Sequence, residues 1–186
     1  MPEQSHHLGA RSPEYALLGF LYNQPNHGYN LHQQLVNELG YVWHVSQSQT
    51  YNILKRLETQ GYISSTIIEQ EKLPPRQLLQ ITATGRQRFE EWLGTLSGSS
   101  VRAIRLEFIT RLYFTQKLFP EMIQTMLEAQ SVELNTVLTR LEINRKNIPP
   151  QQTFNRLGLE LRIQQLQSVR NWLIKCRKAL EIHGAA

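Results

Sequence analysis

The spacing of apolar residues in the first half of the chain changes period at Gly61 and changes back at Thr82, and few folds accommodate that order. Before Gly61 the spacing is helical. SPEYALLGFLYN (12–23) sets Tyr15, Leu18, Leu21 and Tyr22 on one stripe, with a cap-type Ser12 and with Pro13 suited to the first helical position. QPNHG (24–28) breaks the chain, and YNLHQQLVNEL (29–39) then places Leu31, Leu35 and Leu39 four apart before Gly40. In SQSQTYNILKRLETQG (46–61) the residues Thr50, Ile53, Leu54 and Leu57 share a face, and Gly61 supplies the stop. YISSTII (62–68) is β-branched and strand-like, EQEKLPP (69–75) is a polar loop closed by prolines, and RQLLQIT (76–82) reads as a returning strand. A fourth helix follows in TATGRQRFEEWLGTL (82–96), with Phe89, Trp92, Leu93 and Leu96 on one side.

Three helices followed by a hairpin and a closing helix form a winged helix-turn-helix layout. The small-residue stretch GTLSGSS (94–100) marks a boundary, dividing the chain into residues 1–96 and 97–186. Beyond it the pattern is helical throughout. Ile104, Phe108, Leu112 and Tyr113 recur at helical spacing, and Pro120 opens a long helix carrying Ile123, Met126, Leu127, Leu134, Val137, Leu138 and Leu141. After Pro149 and Pro150 a last helix, roughly 152–182, repeats Leu159, Ile163, Leu166, Val169, Leu173, Cys176 and Leu180. So continuous a seam needs cover from its neighbour and from a second copy of the chain, which predicts a helical dimerisation domain. The expected class is mainly α with a small β-hairpin wing.

Composition removes whole classes of function. The chain contains no aspartate, which excludes a Ser-His-Asp triad, a phospho-accepting aspartate, an EF-hand loop and a Walker-B aspartate. Gly-rich phosphate loops, CxxC and HExxH are also missing, and an enzyme is not expected. His6 and His7 sit in the N-terminal tail while His27, His32 and His44 are scattered, so neither metal nor cofactor is expected. The start lacks a charged-then-apolar leader, no apolar run is long enough to span a membrane, and the single Cys176 suits a reducing compartment. A cytoplasmic protein is expected. Cys176 lies in the apolar seam and reads as an inert thiol.

Four segments together resemble the PadR family of transcriptional regulators. They are YALLGFL (15–21), NHGYNLHQQL (26–35), YNILKRLETQGYI (51–63) and ITATGRQRFEEWL (81–93); RAIRLEFITRLYF (102–114) is similar to the start of that family's second domain. The resemblance implies a dimeric, cytoplasmic DNA-binding repressor, often controlled by a small organic effector. The wing departs from the family pattern. Arg76 is kept, but leucines stand where tyrosines are usual, and Glu69 and Glu71 flank Lys72.

With Thr50, Ile53, Leu54 and Leu57 facing inward, Ser48, Asn52, Lys55 and Thr59 fall on the opposite side of the third helix, with Tyr51 and Arg56 on its flanks. Helix 46–60 and wing 64–81 are the expected readers of double-stranded DNA. Ser48 and Asn52 suit base edges, and Lys55 and Arg56 suit guanine or phosphate. Gln47 and Gln49 lie at the helix start, where backbone dipoles favour phosphate. Lys72 and Arg76 on the wing are phosphate candidates. The competing interpretation is a merely solvated face in which Glu58 balances Lys55 and Arg56.

Charge complicates this picture. Residues 1–96 carry seven Lys/Arg against eight Glu, a net −1, and residues 97–186 carry thirteen against seven, a net +6. Glu3, Glu14, Glu38, Glu90 and Glu91 lie outside the proposed contact elements; basic residues in the second half cluster near helix ends, as the helix dipole favours. Trp92, with Phe89, is the candidate wall for a small aromatic or hydrophobic effector, against the plainer alternative of ordinary packing. Two functions stand at this stage: a homodimeric regulator reading a palindromic operator, and a winged-helix protein-interaction module with weak or no specific DNA binding.

Overall fold

The computed structural model describes residues 12–68 and 76–181, and for Glu181 the backbone alone. These fall into two compact units that part between Thr95 and Leu96. The first unit runs α1 (Glu14–Asn23), β1 (Asn26–His27), α2 (Gly28–Leu39), α3 (Gln47–Thr59), β2 (Ile63–Ile68), β3 (Arg76–Ile81) and α4 (Ala83–Gly94). β2 and β3 pair antiparallel, from Ile63 opposite Ile81 to Ile68 opposite Arg76. This is a mainly α winged helix-turn-helix with a small antiparallel sheet.

The core differs from a set of one-sided stripes. Ala16, Leu17, Leu18, Phe20 and Leu21 are all buried, so α1 is enclosed on nearly every side. Leu31, Leu35 and Leu39 of α2, Ile53, Leu54 and Leu57 of α3, Ile63 and Leu79 of the sheet, and Phe89 and Leu93 of α4 close around it. Three local details depart from the sequence reading. Pro13 occupies the cap of α1 and not its first turn, with no side-chain cap bond. Asn26–His27, within the expected breaker, pairs with Leu79 and Leu78 of β3, giving a three-stranded sheet in the order β1-β3-β2. Leu96 lies past the end of α4 and is exposed.

The joint between α3 and the wing is made by backbone geometry. Gly61 adopts φ 74°, its N–H bonds to the Glu58 carbonyl, and the Tyr62 N–H bonds to that of Leu57. That pair of bonds is the Schellman stop, which needs the left-handed conformation glycine tolerates. Thr82 then caps α4 through the Gly85 N–H (3.0 Å) and donates its hydroxyl to the Gly61 carbonyl (2.7 Å). Gly85 packs so close that a Cβ there would fall 1.9 Å from the Tyr62 carbonyl oxygen.

The second unit begins with a helical turn, α5 (Val101–Ala103), and a π-helical stretch Ile104–Phe108 that continues into α6 (Ile109–Leu118). Ile104, Leu106 and Phe108, spaced two apart, are all buried, a pattern that a regular helical stripe does not produce. After a 3₁₀ turn at Pro120–Met122 come α7 (Ile123–Asn147) and α8 (Thr153–Glu181). Leu127, Leu134, Leu138 and Leu141 of α7 meet Ile163, Leu166 and Leu173 of α8 in one cluster. The Arg177–Glu128 pair (2.9 Å) ties the end of α8 to the start of α7, so the two helices run antiparallel. Among the described residues, no helix is long and apolar enough to cross a membrane.

Three outcomes follow. Gly61→Ala meets no atom but must hold a left-handed backbone, and should lose about 1–2 kcal/mol. Gly85→Ala must push α4 off a carbonyl, and should lose about 2 kcal/mol or more, the larger fall in urea midpoint. Cys176, half-buried on α8, has its thiol pKa pushed up to about 11 by desolvation. Since the thiolate is the reactive form, iodoacetamide at pH 8 should modify it roughly 100-fold more slowly than in urea-unfolded chain.

Candidate nucleic-acid interface

The first turn of α3 is closed by a capping box. The Ser46 hydroxyl accepts the Gln49 N–H (3.2 Å), and the Gln49 side-chain oxygen accepts the Ser46 N–H (2.8 Å). Gln49, a candidate DNA residue, therefore spends its acceptor on the helix start. Behind it, Thr50 is fully buried and donates its hydroxyl to the Ser46 carbonyl (3.2 Å). That leaves the Thr50 oxygen as acceptor for Nδ1–H of the buried His32 on α2 (3.0 Å), which sets the histidine tautomer. One polar chain thus pins the two helices of the helix-turn-helix together at their crossing.

With the inner face held, the outer face is left open. Gln47, Ser48, Tyr51, Asn52 and Lys55 are exposed, and among the described residues their side chains make no hydrogen bond or ion pair. Tyr51, Asn52 and Lys55 form one wall of a cleft of about 630 Å³ between α3, the start of α2 and β3. Arg76, exposed at the head of β3, lies on the opposite wall, so four of the sequence-predicted residues converge on one cavity. Gln47 and Ser48 sit beyond it at the helix start, while Lys72 lies outside the described residues, as do Glu69, Glu71, His6 and His7.

Tyr29 and Asn30, in the first turn of α2, also line the cleft and were missed by sequence reasoning. Their signal was present in the HGYN string after the breaker, where Asn26 accepts from both the His27 N–H (2.9 Å) and the Asn30 side chain (3.1 Å). The His27 Nδ1 lies 2.8 Å from the Gln77 carbonyl and joins this turn to the wing. Glu58 also faces the cleft, where it accepts the Ser65 hydroxyl of β2.

Arg56 is placed differently from its neighbours. It leaves α3 on the flank away from the cleft and donates to Glu14 Oε2 (2.8 Å) and the Ser12 hydroxyl (3.2 Å). The other Glu14 oxygen accepts from Arg88 of α4 (2.9 Å). Arg88 also donates to the Tyr62 hydroxyl (3.2 Å), and its guanidinium lies 4.6 Å from the Tyr62 ring centroid and 5.3 Å from that of Tyr15. Burial works against its charge, but the Glu14 hydrogen bond and the neighbouring Tyr15, Glu14 and Tyr62 outweigh it and raise its pKa above the ordinary value.

The two effector candidates occupy the α1–α4 contact. Phe89 is fully enclosed, and Trp92 stacks on Tyr15 with centroids 4.4 Å apart and planes 4° from parallel. Phe89 offers no surface to a ligand, and one face of Trp92 is taken.

Comparison with known proteins adds to this geometry. The family described as "Transcriptional regulator PadR-like family" matches residues 17–91, and "Virulence activator alpha C-term" matches residues 104–181. A curated relative, the negative transcriptional regulator PadR of Bacillus subtilis, is 31% identical over 102 residues, covering 54% of this chain and 55% of its own. The probable transcriptional regulator Rv1176c of Mycobacterium tuberculosis is 27% identical over 42% of each chain. The chain spans about half the length of the curated relatives it matches. Among solved structures, Bacillus subtilis PadR in complex with operator DNA is 22% identical, covers 90% of this chain and 98% of its own, and has a TM-score of 0.41.

Ser46→Ala removes one half of the capping box and should cost about 1 kcal/mol in urea denaturation. Amide exchange should speed up most at Gln47–Thr50, with a smaller change in α4 that tracks the global loss.

Proposed function

We propose, from the premise that residues 17–91 belong to the PadR-like family of transcriptional regulators, that the chain is a homodimeric regulator reading operator DNA with α3 and the wing. The observation that carries this reading is the outer face of α3. A helix pinned on its inner side by Thr50 and His32 presents Ser48, Asn52 and Lys55 with no partner among the described residues, beside a cleft that ends in Arg76. Asn52 has the two-pronged amide that pairs with adenine N6 and N7, and Lys55 reaches guanine or phosphate. Gln47 at the helix start, Tyr51, Arg76 and the loop residue Lys72 are assigned to the backbone.

Dimerisation rests on α8, where Phe154 is 88% exposed and Leu157, Leu161 and Ile174 are more than half exposed. Apolar side chains in that number along one helix need a covering surface, and a second copy supplies it. Two copies of α3 then meet half-sites about one helical turn apart, or a multiple of that. Repression is favoured by the name of the Bacillus subtilis relative. The effector proposed for this chain is planar and hydrophobic, and Trp92 is the residue assigned to meet it. No catalytic role is assigned, and the cytoplasm is the compartment in which such a protein meets DNA.

The test is selection of duplexes from a random pool, followed by fluorescence anisotropy on the selected duplex and a shuffled control across a salt series. The wild-type protein should prefer the selected duplex by about 10³ or more, with a steep negative salt slope. Asn52→Ala should lose about 1–3 kcal/mol of that preference. Lys55→Ala should weaken binding and, where it meets phosphate, lower the slope by about one. Equal binding to both duplexes would end the operator reading.

A further inference from the structure

Arg56 carries a charge next to Lys55 in sequence, yet the structure turns it toward the protein. Its guanidinium is 2.8 Å from a carboxylate that is almost wholly buried, the Glu14 side chain having 7% of its surface exposed. That carboxylate is shared. Glu14 opens α1, Arg56 lies in the last turn of α3, and Arg88 stands in α4, so three helices meet on the two oxygens of one residue. Arg88 cannot swing away easily, because it is bonded to the Tyr62 hydroxyl and lies against two tyrosine rings. The anchor of Arg56 is therefore itself anchored.

The position of this contact along α3 matters. The apolar stripe of Ile53, Leu54 and Leu57 opposes tilting of the helix but only weakly opposes rolling about its own axis. Two polar ties resist the roll. Thr50 is held by His32 from one side at the first turns, and Arg56 is held by Glu14 from the other side at the last turn. Side-chain tips lie roughly 6 Å from a helix axis, so a roll of about 15° moves them by roughly 1.5 Å. Hydrogen bonds to base edges work within about 2.7–3.2 Å and do not survive such a shift. Phosphate contacts, longer in range and less directional, do.

We infer that Arg56 is a positioning residue and not a DNA contact: through Glu14, which Arg88 holds in place, it sets the roll of α3 and with it the discrimination between duplexes. The inference rests on the reading of α3 as the DNA-reading helix. It makes operator selectivity depend on a buried glutamate in α1, a helix without surface for DNA.

The experiment uses the selected and shuffled duplexes, with Glu14→Gln, Arg56→Gln and the double variant in the full chain. Each single variant should lower the selected-to-shuffled ratio by at least about 10-fold, while affinity for the shuffled duplex and the salt slope stay at wild-type values. The double variant should fall no further than the worse single one, because both break the same contact. Arg56→Gln leaves Glu14 paired with Arg88 at a half-exposed site, so this variant decides the matter alone if Glu14→Gln fails to fold. The result that overturns the inference is a fall in affinity for both duplexes with Arg56→Gln, with the salt slope lower by about one, as loss of a phosphate contact requires. An unchanged ratio in Arg56→Gln overturns it too. If the wild-type protein selects no sequence, the reading of α3 fails first, and the positioning role fails with it.

Discussion

The near-complete enclosure of α1 is the constraint from which the first unit is built. A helix with Ala16 through Leu21 all buried cannot face solvent, so α2, α3, α4 and β3 must all rest on it. The cost is that a polar group on α1 must find its partners inside the protein. Glu14 does this at the helix start, where its negative charge also suits the dipole. Tyr15 and Tyr22, which share one stripe of α1, go to α4: Tyr15 stacks on Trp92 and Tyr22 lies 5.2 Å from Phe89. The same enclosure frees α3, which can keep its outer face bare because its inner face has so large a partner.

Polar atoms inside this unit form short chains with directed ends. Ser46, Thr50 and His32 make one; Glu14, Arg56, Arg88 and Tyr62 make another; Gly61, Thr82 and Gly85 make a third. Each joins two or three elements and fixes an angle that apolar contact alone leaves soft. The second chain carries a penalty, since the Arg88 Nε is buried without an acceptor among the described residues. A shape-matched apolar cluster would pack there without that loss. What the ionic version adds is direction, because a carboxylate shared by two guanidinium groups accepts few geometries.

Legibility in the sequence followed the range of the signal. Thr50, Ile53, Leu54 and Leu57 were readable as an inner face because helical period is a local property, and the open face followed by subtraction. Gly61 was readable because a helix stop needs one residue of a particular kind. Glu14 was not: an acid in a first turn looks like a surface charge, and its partners lie 42 and 74 positions away. The pairing of Arg56 with Glu14 was unreadable for the same reason, its flank of α3 being compatible with solvent until α1 and α4 are present. Asn26–His27 has too few residues to show a strand period, and at Ile104–Phe108 the helical spacing of Ile104, Phe108 and Leu112 masked the out-of-stripe Leu106 that accompanies the π-helical turn. Leu96 fitted the α4 stripe by number, but the helix ends two residues earlier at Gly94.

The distribution of charge can now be argued from geometry. By its total alone a first half with net charge −1 is poorly suited to a polyanion, yet net charge is not what a duplex meets. Screening confines the relevant field to about 8–10 Å. Glu14 is spent on Arg56 and Arg88, Glu90 accepts the Tyr22 hydroxyl, and Glu91 and Glu38 are bonded to Gln87 and Gln34 within their own helices. None of these four lines the cleft. Glu58 is the exception, and its hydrogen bond to Ser65 draws it to the wing joint, while Lys55 and Arg76 on the cleft walls have no such partner among the described residues. Among the described residues the cleft walls carry two cations, Lys55 and Arg76, to one anion, Glu58. On the proposed reading of α3 as the DNA-facing helix, a face so modestly positive gives little nonspecific adhesion and leaves discrimination to that helix's hydrogen-bonding side chains, whose accuracy depends on how firmly it is held.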